Sequence, residues 1–120
     1  MSDFPIIDPA SIENLRALNP GDNDEFLREI VGIYLDDTPL RIGELESSLA
    51  GRDMEKFVRA AHSIKGSSAN LGAMALRAVA ERLEHHARKH GWDDAPAMVG
   101  AIKEEFALVR TELEKITAGG

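Results

Sequence analysis

The sequence predicts an all-α protein, an antiparallel four-helix bundle preceded by one or two short N-terminal helices. Apolar residues recur at three- and four-residue spacings along most of the chain, the mark of helices that bury one stripe. Caps and breaks at Asp8-Pro9, Asn19-Pro20-Gly21, Gly51, Gly72 and Gly91 cut that pattern into helix-sized segments. No useful run of β-type alternation, internal repeat or low-complexity segment interrupts it. With 120 residues, 43% of them hydrophobic, the chain can bury one core, and we expect a single domain over residues 1–120.

The elements follow in order. Asp8 and Pro9 supply an acceptor cap and a first-turn proline for a short helix over about 9–18, with Ile12, Leu15 and Leu18 on its apolar side. The bundle itself is expected over about 22–117. Its first stretch, Asp22 to about Asp36, carries a broad stripe from Phe26 to Leu35. Thr38-Pro39 then resembles a second cap and first turn, followed by Ile42, Leu45 and Leu49 up to Gly51. A proline can kink one helix there or divide two, and the sequence leaves both open. Asp53 caps the next helix, which runs to about Asn70 and turns at Gly72. Leu76, Val79, Leu83 and Ala87 define a fourth, ending near His90-Gly91. The last starts around Asp94-Ala95-Pro96 and keeps strict three-four alternation from Ala95 to Ile116, the seam of an antiparallel bundle. The terminal Ala118-Gly119-Gly120 is expected to fray.

The third of the long segments carries the chemistry. Met54, Phe57, Ala61, Ile64, Ser68 and Leu71 form its buried stripe, and His62 points roughly 130° away from that stripe at about 100° per residue. An imidazole there has no packing role. Gly66 lies one turn on along the same face, where a mid-helix glycine costs about 0.5–1 kcal/mol relative to alanine. Clearance explains it: another protein's backbone can approach the ring. Lys65 and Arg59 are within helical reach of the imidazole on either side, a setting suited to an anion attached to the ring. Ser67, Ser68 and Ala69 read as small residues where neighbouring helices pack closely.

A tight corner near Ala73 places residues equidistant from it at one level, so His62 falls opposite Glu84. A carboxylate accepting from Nδ1–H would leave the Nε2 lone pair free.

Ala61-His62-Ser63-Ile64-Lys65-Gly66-Ser67-Ser68 through Leu71-Gly72 resembles the signature of the histidine-containing phosphotransfer family, small helical domains that carry a phosphoryl group on one histidine. The resemblance implies a relay between receiver-domain aspartates in a multistep two-component phosphorelay, with His62 as the phosphorylated nucleophile. It implies response-regulator receivers and a sensor or hybrid histidine kinase as partners, with Mg²⁺ supplied by the receiver and no cofactor of the chain's own. In the family a Gln or Glu on the following helix often holds the histidine, the place of Glu84. The absence of a Gly-rich nucleotide loop implies a phosphoryl carrier rather than an ATP-using kinase. Receiver docking calls for apolar groups that ring His62 without joining the core, and Ile12, Leu15, Val58 and Ala69 are the candidates.

Composition excludes other classes. The net charge of −7, from 21 acidic and 14 basic side chains, argues against non-specific binding to nucleic acid or an anionic membrane. Zero cysteines remove disulfides and thiolate metal sites. The start, Met1-Ser2-Asp3-Phe4-Pro5, has no signal-peptide pattern, and no run approaches a membrane span, so we expect a cytoplasmic monomer. His86 and His90 stand four apart, but the next position back on that face is Arg82 and no metal-ligand spacing is completed; no metal site is expected. Two other readings compete: the phosphorylatable segment of a larger histidine kinase, which the start at Met1 and end at Gly120 disfavour, and a helical scaffold or metal-binding bundle.

Overall fold

The computed structural model describes residues 6–118. Five helices follow one another: α1 Pro9–Ala17, α2 Glu25–Gly51, α3 Met54–Leu71, α4 Met74–His90 and α5 Ala95–Ala118. α2 packs on α3, α3 on α4, α4 on α5 and α5 back on α2, which closes an antiparallel four-helix bundle. Leu27, Leu45, Phe57, Ile64, Leu76, Leu83, Ile102 and Leu113 fill its interior and are almost wholly removed from solvent. Among the described residues no helix is long and apolar enough to cross a membrane.

The open question at Thr38-Pro39 has one answer: α2 is a single helix of 27 residues that passes through Pro39. Thr38 is no cap. Its side chain is buried on the core face between Tyr34 and Ile42, while Pro39 lies on the exposed side. The start of α2 also differs from expectation. Asn23 and Asp24 take left-handed backbone angles, and the helix begins at Glu25, with the Asp22 carboxylate accepting from the Phe26 amide at 3.0 Å. Among the described residues one helix therefore precedes the bundle. At the other end of α2, Arg52 rather than Gly51 makes the left-handed turn. α5 remains helical through Ala118; the expected fraying of Gly119 and Gly120, like Met1–Pro5, lies outside the described residues.

α1 is tied to the α3–α4 corner. The Asp8 amide donates to the Gly72 carbonyl at 2.9 Å, and the Asp8 carboxylate caps α1 at the Ala10 amide. Gly72 has φ +77°, and a Cβ there would lie 2.7 Å from the Ser11 side chain, so both backbone and packing require glycine. That corner fixes the level of every residue along α3 and α4.

Candidate functional site

α3 starts where Asp53 accepts from the Lys56 amide, and its apolar stripe faces inward through Phe57, Ala61, Ile64 and Leu71. His62 is thereby left on the outer face, with its side chain 65% exposed. The hairpin geometry brings Glu84 of α4 to it. Nδ1 of His62 lies 3.4 Å from Oε1 and 3.4 Å from Oε2 of Glu84.

Glu84 is not a solvated surface residue: its side chain is 5% exposed. A buried carboxylate needs partners, and this one has them. Lys65 Nζ donates to Oε1 at 2.9 Å, and Arg88 Nη2 donates to Oε2 at 2.9 Å. Burial pulls the Glu84 carboxyl upward, but donation from Lys65 and then from His62 more than offsets it, holding the group below its ordinary value. The carboxylate therefore stays ionised and acceptor-only, and when His62 is neutral its Nδ1 must carry the proton to bond with it. Nε2, on the outer side of the ring, is left with a free lone pair.

The remaining expected site residues divide. Gly66 is exposed, and a Cβ built on it meets nothing within 4 Å, so no contact inside the molecule demands a glycine there. Lys65 leans to Glu84 and is 23% exposed. Arg59 is not brought to the imidazole. Its guanidinium pairs with Glu55 at 2.9 Å one turn back, an i,i+4 bond that captures the side chain locally. Val58 and Ala69 are half-buried beside the histidine face, but Val58 also packs against the core rather than standing clear of it. Ile12 does not meet the expectation that it stays out of the core: only 3% exposed, it packs into the core as α1 caps the bundle's corner end. His62 stands ten residues from Gly72, roughly 15 Å along α3. Leu15 is half-buried and also packs against the core.

Three contacts go beyond what the sequence indicates. Arg88 was legible in principle, four residues after Glu84 on one helix, the favourable order for such a pair. The buried bond between Tyr34 and Ser68, 2.8 Å across α2 and α3, had no local signal. It gives Ser68 a polar role beyond small size. His86 Nε2 donates to the Asp93 carbonyl at 2.8 Å, tying the α4–α5 turn back to α4, and its ring stands 4.8 Å from that of His90. Among the described residues no group of three or more His, Asp or Glu side chains converges on a point.

Comparison with known proteins places the chain in a family and matches its fold. The model of the Hpt domain matches residues 29–115, and the chain belongs to that family. Multistep phosphorelay regulator 1 of Schizosaccharomyces pombe is 31% identical over 108 residues, covering 90% of this chain and 36% of that protein. The phosphorelay intermediate protein rdeA of Dictyostelium discoideum is 28% identical over 85 residues, covering 71% of this chain and 34% of that protein. The chain thus spans about a third of each of these relatives. The crystal structure of histidine-containing phosphotransfer protein B from Pseudomonas aeruginosa PAO1 superimposes with a TM-score of 0.87 at 28% identity and covers 97% of both chains.

Proposed function

We propose that this chain is a phosphoryl carrier that relays the group between receiver-domain aspartates through His62. The observation that carries the reading is the placement of one exposed imidazole against an ionised, nearly buried carboxylate, which directs the Nε2 lone pair to solvent. In the forward step Nε2 attacks the phosphorus of a donor aspartyl phosphate. The N–P bond forms, the acyl P–O bond breaks and the aspartate leaves as carboxylate. The ring then holds Nδ1–H and a phosphorylated Nε2 and is cationic, and Glu84 stabilises that charge. An acceptor aspartate reverses the step, and Nε2 departs with the bonding pair. Such transfer is mainly positioning and charge stabilisation, so the chain needs no nucleotide site of its own. Mg²⁺ and the reacting aspartates belong to the receiver, and a sensor or hybrid histidine kinase lies upstream.

The partner docks over the His62–Gly66 face. Since Ile12 is buried, the apolar anchor beside that face is Ile33 of α2, 59% exposed at the edge of a groove of about 180 Å³ formed with Ile30, Ser67, Asn70 and Leu71. Gly66 supplies clearance for the approaching backbone. The test is incubation with a phosphorylated receiver domain. Acid-labile, base-stable phosphate should appear on the chain and be absent from His62→Gln, and a chain that takes up no phosphate would favour the scaffold reading.

A further inference from the structure

The carboxylate of Glu84 is held at both oxygens, each by a different cation. Lys65 takes Oε1 and Arg88 takes Oε2, both at 2.9 Å, and Nδ1 of His62 sits across the fork at 3.4 Å from each. That distance is long for an N–H···O bond, so the imidazole contact does not by itself define where the carboxylate points. The last torsion of a glutamate is also soft, with no sharp rotamer wells. A single bond from Lys65 would leave the carboxylate plane free to turn; a second bond at the other oxygen fixes it.

From this fork we infer that Arg88 is a positioning residue for the histidine: it locks the Glu84 carboxylate with both oxygens toward Nδ1, and so keeps the neutral ring in the Nδ1–H form with Nε2 free. The sequence supports the arrangement, since Arg88 lies four residues after Glu84 on α4, the favourable order for this pair. Its side chain is 62% exposed, against 23% for Lys65. Arg88 is therefore attached to the site by this one bond, and its removal opens no hole in the core. The consequence for transfer rests on the relay reading; the consequence for the tautomer does not.

The experiment is ¹⁵N NMR of the His62 ring in the full chain, above its titration range, for the parent, Arg88→Ala and Arg88→Lys. The parent should show a protonated Nδ1 and an unprotonated Nε2. In Arg88→Ala the Nδ1–H population should fall by half or more toward the Nε2–H form that imidazole favours in water, with the circular dichroism unchanged. Arg88→Lys, which keeps a cationic donor for Oε2, should restore most of it. Transfer from a phosphorylated receiver should slow roughly 3- to 10-fold in Arg88→Ala, the rate equivalent of one hydrogen bond. An unchanged tautomer in Arg88→Ala, or a lysine variant no better than the alanine, overturns the proposal. A tautomer that shifts as expected in a chain that accepts no phosphate leaves Arg88 in its role and overturns the relay reading instead.

Discussion

Nδ1 of His62 lies 3.4 Å from the Glu84 carboxylate, so an exposed imidazole on one helix is governed by a nearly buried acid on the next. Lys65 and Arg88 hold the acid, and the surface at Gly66 is open, a Cβ there meeting nothing within 4 Å.

Acid should weaken the fold partly through Glu84. Its carboxyl is lowered in the folded protein, so it contributes stability that is fully present above the ordinary value near 4.5 and lost as the pH falls through the lower folded value. Urea denaturation at pH 7 and at stepwise lower pH should show the parent losing more stability below about 4.5 than Glu84→Gln does. Glu84→Ala should cost about 1–3 kcal/mol at neutral pH, because it strips Lys65 of its acceptor and leaves the site unfilled. Equal acid sensitivity in parent and Glu84→Gln would contradict the assignment.

Gly66 separates stability from transfer. Gly66→Ala should stabilise the chain by about 0.5–1 kcal/mol on helix propensity, since the added methyl meets open space. Gly66→Gln should fold but transfer more slowly from a phosphorylated receiver, while reacting normally with a small phosphoramidate donor. A glutamine variant as fast as the parent with the receiver would remove the clearance argument.

The Tyr34–Ser68 bond predicts a coupled pair. Ser68→Ala leaves a buried phenol hydroxyl unpaired and should cost about 1–3 kcal/mol, while Tyr34→Phe/Ser68→Ala should cost less than the two single changes summed. A thermal or urea double-mutant cycle reads this directly, and strict additivity would mean the bond contributes nothing.

Docking should register on α2 and α3. In an NMR titration with a receiver domain, shifts should cluster on residues 30–37 and 62–70, and Ile33→Asp should weaken binding roughly tenfold, on the scale of an interface anchor, without lowering stability. A footprint on α5 around Val99 to Leu113 would contradict this surface.

Local chemistry explains what the sequence made legible. Asp8, Asp53 and Gly72 are caps whose side chains or missing side chain act within a few residues, so their helix ends fall where the sequence places them. His62 and Glu84 follow from helix period and one tight corner. Thr38-Pro39 is ambiguous in the sequence because the dipeptide has the form of a helix start, while burial of Tyr34, Thr38 and Ile42 on one core face carries α2 through it. Ile12 misleads for a different reason: a short amphipathic helix shows which side is apolar but not whether the bundle covers it. Helix period puts Arg59 within reach of the imidazole, but Glu55 four residues before it is the nearer claimant.

The central claim, phosphoryl transfer at Nε2 of His62, is tested most directly by NMR of the chain after phosphorylation by a receiver, with ¹⁵N-labelled histidine and ³¹P detection. One phosphorus should couple to Nε2 of His62 while Nδ1 keeps its proton toward Glu84. Phosphorus on Nδ1, on His85, His86 or His90, or on a carboxylate would contradict it.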